Sequence, residues 1–306
     1  MSRSVAFLKF RSLLEQEIRT FWHVVASLEY AERWLNSAMP SKLTAHPGDD
    51  RYPFRAIDIS TSEFLEEQTQ VLSHIRENAL VSFVTAFECY IAELLERLIY
   101  LNPALVADSD IQITAKELAE TAPMSNIKRW LAVKVADKYL RNKTHAAMIS
   151  RLDKFCKAGI SKSMATEIEE WSRWSLVRNS IVHTSRQVTP ELSKSWCVRF
   201  PSAGAPIILE NKELARIHHL ALKIAAAIDG RAISTVIRKQ DELLIAKELF
   251  IQRGIGEPNI LKATLGKVMR VKVTKIDLEK MLADQRRGRQ LDSWALTMRE
   301  LTNIVA

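Results

Sequence analysis

Apolar residues recur at helical spacing along most of the chain. Phe7, Phe10, Leu13, Leu14, Ile18, Phe21, Val25, Leu28 and Leu35 mark one face of an amphipathic helix over 5–37. Pro40, Pro47, Gly48, Asp49, Asp50 and Pro53 then predict a loop. Ser62 ahead of Glu63, Glu66 and Glu67 opens a second helix, with acids where the helix dipole favours them. That helix runs over 63–101, with a bend expected near Asn78. Its middle, Ala79 to Ile91, is apolar nearly all round, the pattern of a helix buried in a bundle, and Glu88 is the one acid inside it. Asn102-Pro103 ends it. One or two helices follow over 125–157, with Trp130, Leu131, Val135, Tyr139 and Leu140 as their apolar side. After a break at Gly159 to Ser163 comes a helix from Ala165 to His183. Ile168, Trp171, Trp174, Leu176, Val177, Ile181 and Val182 form its buried side. Thr184-Ser185-Arg186 reads as a polar turn. Residues 196–209, β-branched and aromatic around Pro201 and Gly204, predict a short hairpin. Asn211 caps a helix over 212–228 built on Leu214, Ile217, Leu220, Ile224 and Ile228. The remainder reads as helix, interrupted at 254–258, with a short strand at Val268 to Val273.

Composition narrows this picture. With 8 Gly and 9 Pro in 306 residues, the chain lacks the turn formers that a sandwich or barrel needs, so the fold expected is all-α. Hydrophobic residues make up 47%, which excludes wholesale disorder. No run of 18 uninterrupted apolar residues is present, so no membrane-spanning helix and no membrane partner are expected. The N-terminus lacks the apolar core of a secretion signal. Three scattered cysteines, Cys89, Cys156 and Cys197, fit neither a disulfide framework nor a zinc site. They read as packing residues in a reducing cytoplasm. Of the net charge of +8, +6 falls in residues 231–306, which hold 15 Lys+Arg against 9 Asp+Glu. This excess suits either a polyanion such as nucleic acid or a solubilising surface. Arg286, Arg287 and Arg289 form its densest cluster, an RNA-backbone contact or a solvated helix end.

Phosphate loops, dinucleotide fingerprints, His-Glu-x-x-His, Cys-x-x-Cys and the Gly-x-Ser-x-Gly elbow are absent, so no cofactor and no metal are expected. His218-His219, being adjacent, point to different sides of a helix and do not make a ligand pair. Trp171 and Trp174 read as core rather than as base-stacking platforms. One constellation stands out: Arg178-Asn179-Ser180-Ile181-Val182-His183. Asn179 and His183 are four apart and share a helix face, whereas Arg178 lies about 140° away from His183 around the axis. The two reach one site if the helix frays near His183 or if a second copy of the motif faces the first. The residue types suit RNA cleavage. Histidine moves protons near neutrality, arginine forks onto phosphate oxygens, and asparagine orients the imidazole or donates to the phosphate. The same residues also suit a plain helix end, with His183 capping and Arg178 in a surface ion pair.

The Arg178-Asn179-x-x-x-His183 pattern resembles the signature of the HEPN superfamily, helical-bundle proteins of which many are metal-independent ribonucleases. The helix order over roughly 62–230 resembles such a bundle as well. The resemblance implies an all-α, HEPN-like bundle at 62–230, an N-terminal helical extension at 1–61 and a basic, mostly helical C-terminal region at 231–306. It implies a homodimer that cuts single-stranded RNA to 2′,3′-cyclic phosphate ends. The setting implied is a toxin or antiphage effector, with an antitoxin or defence-system partner protein. Arg178, Asn179 and His183 are the implied catalytic residues. Glu88 matches a polar residue the family often places beside its cleft; here it is either catalytic or an acid held by Arg178 or a lysine. Ser185 stands where one branch of the family has a Tyr, so control by modifying that Tyr is not implied. The alternative is a non-catalytic HEPN-like protein that binds nucleotide, RNA or a protein partner.

Overall fold

The computed structural model describes residues 3–38, 60–106, 114, 116, 127–289 and 294–305. The loop expected at Pro40 to Pro53 lies outside the described residues. The protein is all-α. In chain order the helices are α1 (Val5–Ala38), α2 (Thr61–Leu101), α3 (Ile127–Leu140), α4 (His145–Cys156), α5 (Ile160–Ser163), α6 (Ala165–His183), α7 (Pro190–Ser195), α8 (Asn211–Ala232), α9 (Gln240–Arg253), α10 (Pro258–Val268), α11 (Lys275–Arg286) and α12 (Met298–Val305). A 3₁₀ turn, Pro103–Val106, follows α2, and α8 widens into a π turn, Ile233–Ile237.

The chain forms two compact units, each assembled from segments distant in sequence. The first comprises Met1–Leu13, Thr85–Ser175 and His219–Ala306. Its aromatic centre joins α1, α2 and α6: Phe10 stacks on Tyr90 with centroids 5.1 Å apart, and Phe87 lies 4.6 Å from Trp171. The Tyr90 hydroxyl, fully buried, donates to the Ala225 carbonyl at 3.0 Å. A second apolar cluster gathers Leu244, Leu249, Leu261, Leu265, Leu278 and Leu301 from α9–α12 around Val5 and Leu8. The basic C-terminal region is thus a packed part of this unit, and its core includes the first turn of α1.

Acids hold that first turn. The N–H groups at a helix start have no partner within the helix. Asp229 accepts from the Ser4 N–H at 3.3 Å and from the Ser4 hydroxyl, and Asp241 accepts from the Val5 N–H at 2.9 Å. Asp241 also accepts from Arg97 Nε at 2.7 Å, in an ion pair that is almost completely buried.

The second unit comprises Leu14–Val84 and Leu176–His218. Leu14, Phe21, Val25 and Leu35 of α1 are buried, as are Leu80 and Phe83 of α2, Val177 of α6 and Ile217 of α8. Leu13, the last α1 residue of the first unit, is exposed, against the expectation from periodicity.

Two expected β elements are absent among the described residues, for identifiable reasons. Residues 196–209 do not pair with one another. Trp196 to Phe200 closes a turn after α7, through Phe200 N–H to the Trp196 carbonyl at 2.9 Å. Residues 204–207 instead pair with 186–188: Val188 N–H donates to Ala205 at 2.8 Å and Ile207 N–H to Arg186 at 3.0 Å, around an isolated Gln187–Pro206 bridge. Val268 to Val273 does not form a strand either. Val268 ends α10, and the buried Glu242 carboxylate takes the N–H groups of Lys272 and Val273 at 2.7 and 2.8 Å, donors that a strand would have offered to a ladder.

The region 125–157 resolves into α3 and α4. Asn211 is the first residue of α8 rather than its cap. Its Oδ1 accepts from Arg76 Nε at 2.6 Å, and the Glu210 N–H is held by Glu213 at 2.8 Å. An 18-residue window of α2 reaches a mean hydropathy of 1.4, enough by length and composition to cross a membrane, and 56% of that window is buried within the protein. This average passes where a search for an uninterrupted apolar run does not.

Candidate functional site

Helix α6 runs unbroken to His183, as its periodicity predicts, with Ile168, Trp171, Trp174 and Val177 buried. Both tryptophans are core. Its last turn differs from expectation at Val182, which is 51% exposed rather than buried. Asn179 and His183 are both exposed on the same face. Arg178 occupies the half-buried flank of the turn before. The helix does not fray: Thr184 N–H still donates to the Ser180 carbonyl at 3.1 Å. Within one chain, then, the structure brings Asn179 and His183 together on one open face and places Arg178 beside that face rather than on it.

The turn after His183 is tightly shaped. Ser185 and Arg186 have φ of 52° and 64°, two successive left-handed residues, a conformation that side chains with a Cβ adopt at a cost. The Thr184 hydroxyl donates to Ser180 at 2.7 Å and stands 3.0 Å from the Gln187 carbonyl, which locks the reversal. Arg186 Nε then donates to the buried Glu77 carboxylate at 2.7 Å. Sequence reading missed this pair, because Glu77 lies 109 positions away and no local pattern links them.

Glu88 belongs to the first unit. Trp171 Nε1–H donates to His145 Nδ1 at 2.9 Å, so Nδ1 is an acceptor and the ring proton sits on Nε2. His145 Nε2 then donates to Glu88 Oε1 at 2.9 Å. His145 is buried and Glu88 is about one-third exposed, so a buried imidazole presents a carboxylate to solvent. His145 is thus one partner of Glu88, and not one of the types expected from the sequence. His145 itself was missed in the sequence. Its position at the first residue of α4 carries no periodic signal.

The three basic-cluster residues, Arg286, Arg287 and Arg289, are exposed at the end of α11 in the first unit. Arg289 stands 3.6 Å from Asp284. Of the cysteines, only Cys156 is the packing residue expected; Cys89 and Cys197 are exposed. Burial raises the Cys156 thiol to about 12. Among the described residues no three His, Cys, Asp or Glu side chains gather as a metal-binding group.

Fold and site together define an all-α protein that carries an open Asn/His pair at the end of a buried, tryptophan-rich helix. No family model matches the chain, and neither a curated protein nor a solved structure matches it.

Proposed function

We propose that this protein is a metal-independent endoribonuclease of the HEPN type, acting on single-stranded RNA. The observation that carries the reading is the open face shared by Asn179 and His183, with Arg178 on its flank. Histidine at an exposed helix end can exchange protons with a bound strand. In the reaction, one His183 takes the proton of a ribose 2′-hydroxyl. The 2′-oxygen attacks the adjacent phosphorus, the bond from phosphorus to the 5′-oxygen breaks, and the leaving oxygen takes a proton. The products are a 2′,3′-cyclic phosphate and a 5′-hydroxyl. Arg178 balances charge on the phosphate and Asn179 orients the imidazole or the phosphate. One histidine is not base and acid in the same step, so the reading calls for a homodimer with two motif helices facing across a two-fold axis. The biological setting is that of a toxin or antiphage effector acting in the cytoplasm and held in check by a partner protein.

Incubation of the pure protein with total RNA in EDTA, followed by analysis of the new ends, tests this. Cleavage that persists, with cyclic phosphate ends, is expected. Loss of all cleavage in chelator, restored by Mg²⁺, overturns the mechanism. The half-burial of Arg178 favours a second reading, a non-catalytic HEPN-like protein that binds nucleotide, RNA or a protein partner through the same face. Under that reading RNA stays intact.

A further inference from the structure

A cleft of about 270 Å³ lies in the first unit between α9 and α11, well inside the basic C-terminal region. Its charged lining is Lys239, Lys247, Lys280, Asp277 and Asp284. Leu244 and Met281, both buried, form an apolar floor, and Leu243 stands beside them. The ion pairs decide which charge a ligand would carry. Asp277 is committed three times over. It pairs with Lys239, accepts from the Thr274 N–H at 2.9 Å and accepts from the Thr274 hydroxyl at 2.9 Å, and these bonds hold its carboxyl down at about 2. Asp284 is nearly buried and faces Arg289. Lys247, buried on the floor, donates to the Trp294 carbonyl at 3.1 Å and stands 3.4 Å from Glu248. Lys280 is exposed and forms no ion pair with another described residue. A cation entering here would compete with Lys239 and Arg289 for carboxylates already engaged. An anion meets Lys280 at once, and Lys239, which gives Asp277 one of its three N–H donors, has two left to offer beside it.

We propose that this cleft binds a phosphate monoester of mononucleotide size, its phosphate on Lys280 and Lys239 and its flat ring on Leu243, Leu244 and Met281. The volume sets the size. Pockets for drug-sized ligands begin at about 300 Å³, so nothing much larger than one nucleotide is enclosed. A thioether and two leucines suit a base, which needs apolar contact more than hydrogen bonds. The phosphate belongs either to a free nucleoside monophosphate or to the phosphorylated end of an RNA strand. This site stands independently of the ribonuclease reading.

The test is calorimetric titration of full-length protein carrying His183→Ala, so that no RNA is consumed and binding is read whether or not the protein is a nuclease. The probes are AMP, adenosine, inorganic phosphate and a short RNA with a 3′-phosphate. AMP is expected to bind at least about tenfold more tightly than adenosine or phosphate alone. Lys280→Glu, at an exposed position, is expected to weaken AMP about tenfold or more, and Leu243→Trp, which fills the cleft, to abolish binding, with circular dichroism confirming the fold. RNA bound more tightly than AMP assigns the site to RNA ends; AMP bound at least as tightly assigns it to free nucleotide. AMP binding no better than adenosine or phosphate, or unchanged in Lys280→Glu, or absent altogether, overturns the proposal.

Discussion

Asp229→Asn isolates the energetics of the clamp at the start of α1. Asp229 has no exposed surface, and burial, the largest influence on it, raises its carboxyl from 3.8 to about 6. Bonds from Ser4 and the charge of Arg3 pull the other way, and the nearby Asp241 adds to the rise. A carboxyl whose folded value lies above its unfolded one binds its proton more tightly when folded. Stability from this group is therefore full below about pH 4 and lost as pH rises toward 6. A shift of about 2 units corresponds to roughly 3 kcal/mol, carried at neutral pH as the cost of a buried charge. Asparagine keeps an oxygen to accept from Ser4 but does not ionise. Urea unfolding of both proteins at pH 7, 6, 5 and 4 gives the stability difference at each pH, in which titrations common to both cancel. Relative to wild type, the Asn variant is expected to lose about 3 kcal/mol of standing between pH 7 and pH 4. A wild-type advantage over the Asn variant that stays flat over this range, or that shrinks toward acid, refutes the reasoning.

Three other parts of the fold give further expected outcomes. His183→Ala and Arg178→Ala are each expected to abolish RNA cleavage while melting temperature and dimerisation persist, and mixing His183→Ala with wild type should sharply reduce activity; a fully active monomer would contradict the composite site. Trp171→Phe removes the donor to His145 Nδ1 and leaves a buried ring nitrogen without its bond, so it is expected to destabilise by about 1–3 kcal/mol in urea; a loss under about 0.5 kcal/mol would mean that the bond is unimportant. Deleting 231–306 strips Leu244, Leu249, Leu261 and Leu278 from the cluster that covers Val5 and Leu8, and the truncated chain is expected to lose cooperative thermal unfolding; a truncation that melts like the full chain would make this region an appendage after all.

Helices were legible where a local pattern sufficed. The apolar period of α6, closed by a polar turn, marked Ala165 to His183 and put Trp171 and Trp174 in the core. The all-apolar middle of α2 announced a buried helix, and Asn179 and His183 could be put on one face by counting four residues. Each of these depends on spacing within a few turns, which the chain carries in its order of residues. The partners that make a site depend on which distant segments meet, and order along the chain does not contain that. Glu88 read as a lone acid until α4 delivered His145 and α6 delivered Trp171. Asp229 and Asp241 hold a helix start more than 220 positions away, a link that no local pattern announces. The β-like segments 196–209 and 268–273 had strand composition but not strand partners. Backbone donors take whichever acceptor folding brings within reach, and here those were Glu242 and residues 186–188. Local periodicity thus determined the helices; long-range hydrogen bonding and burial decided what each polar group does.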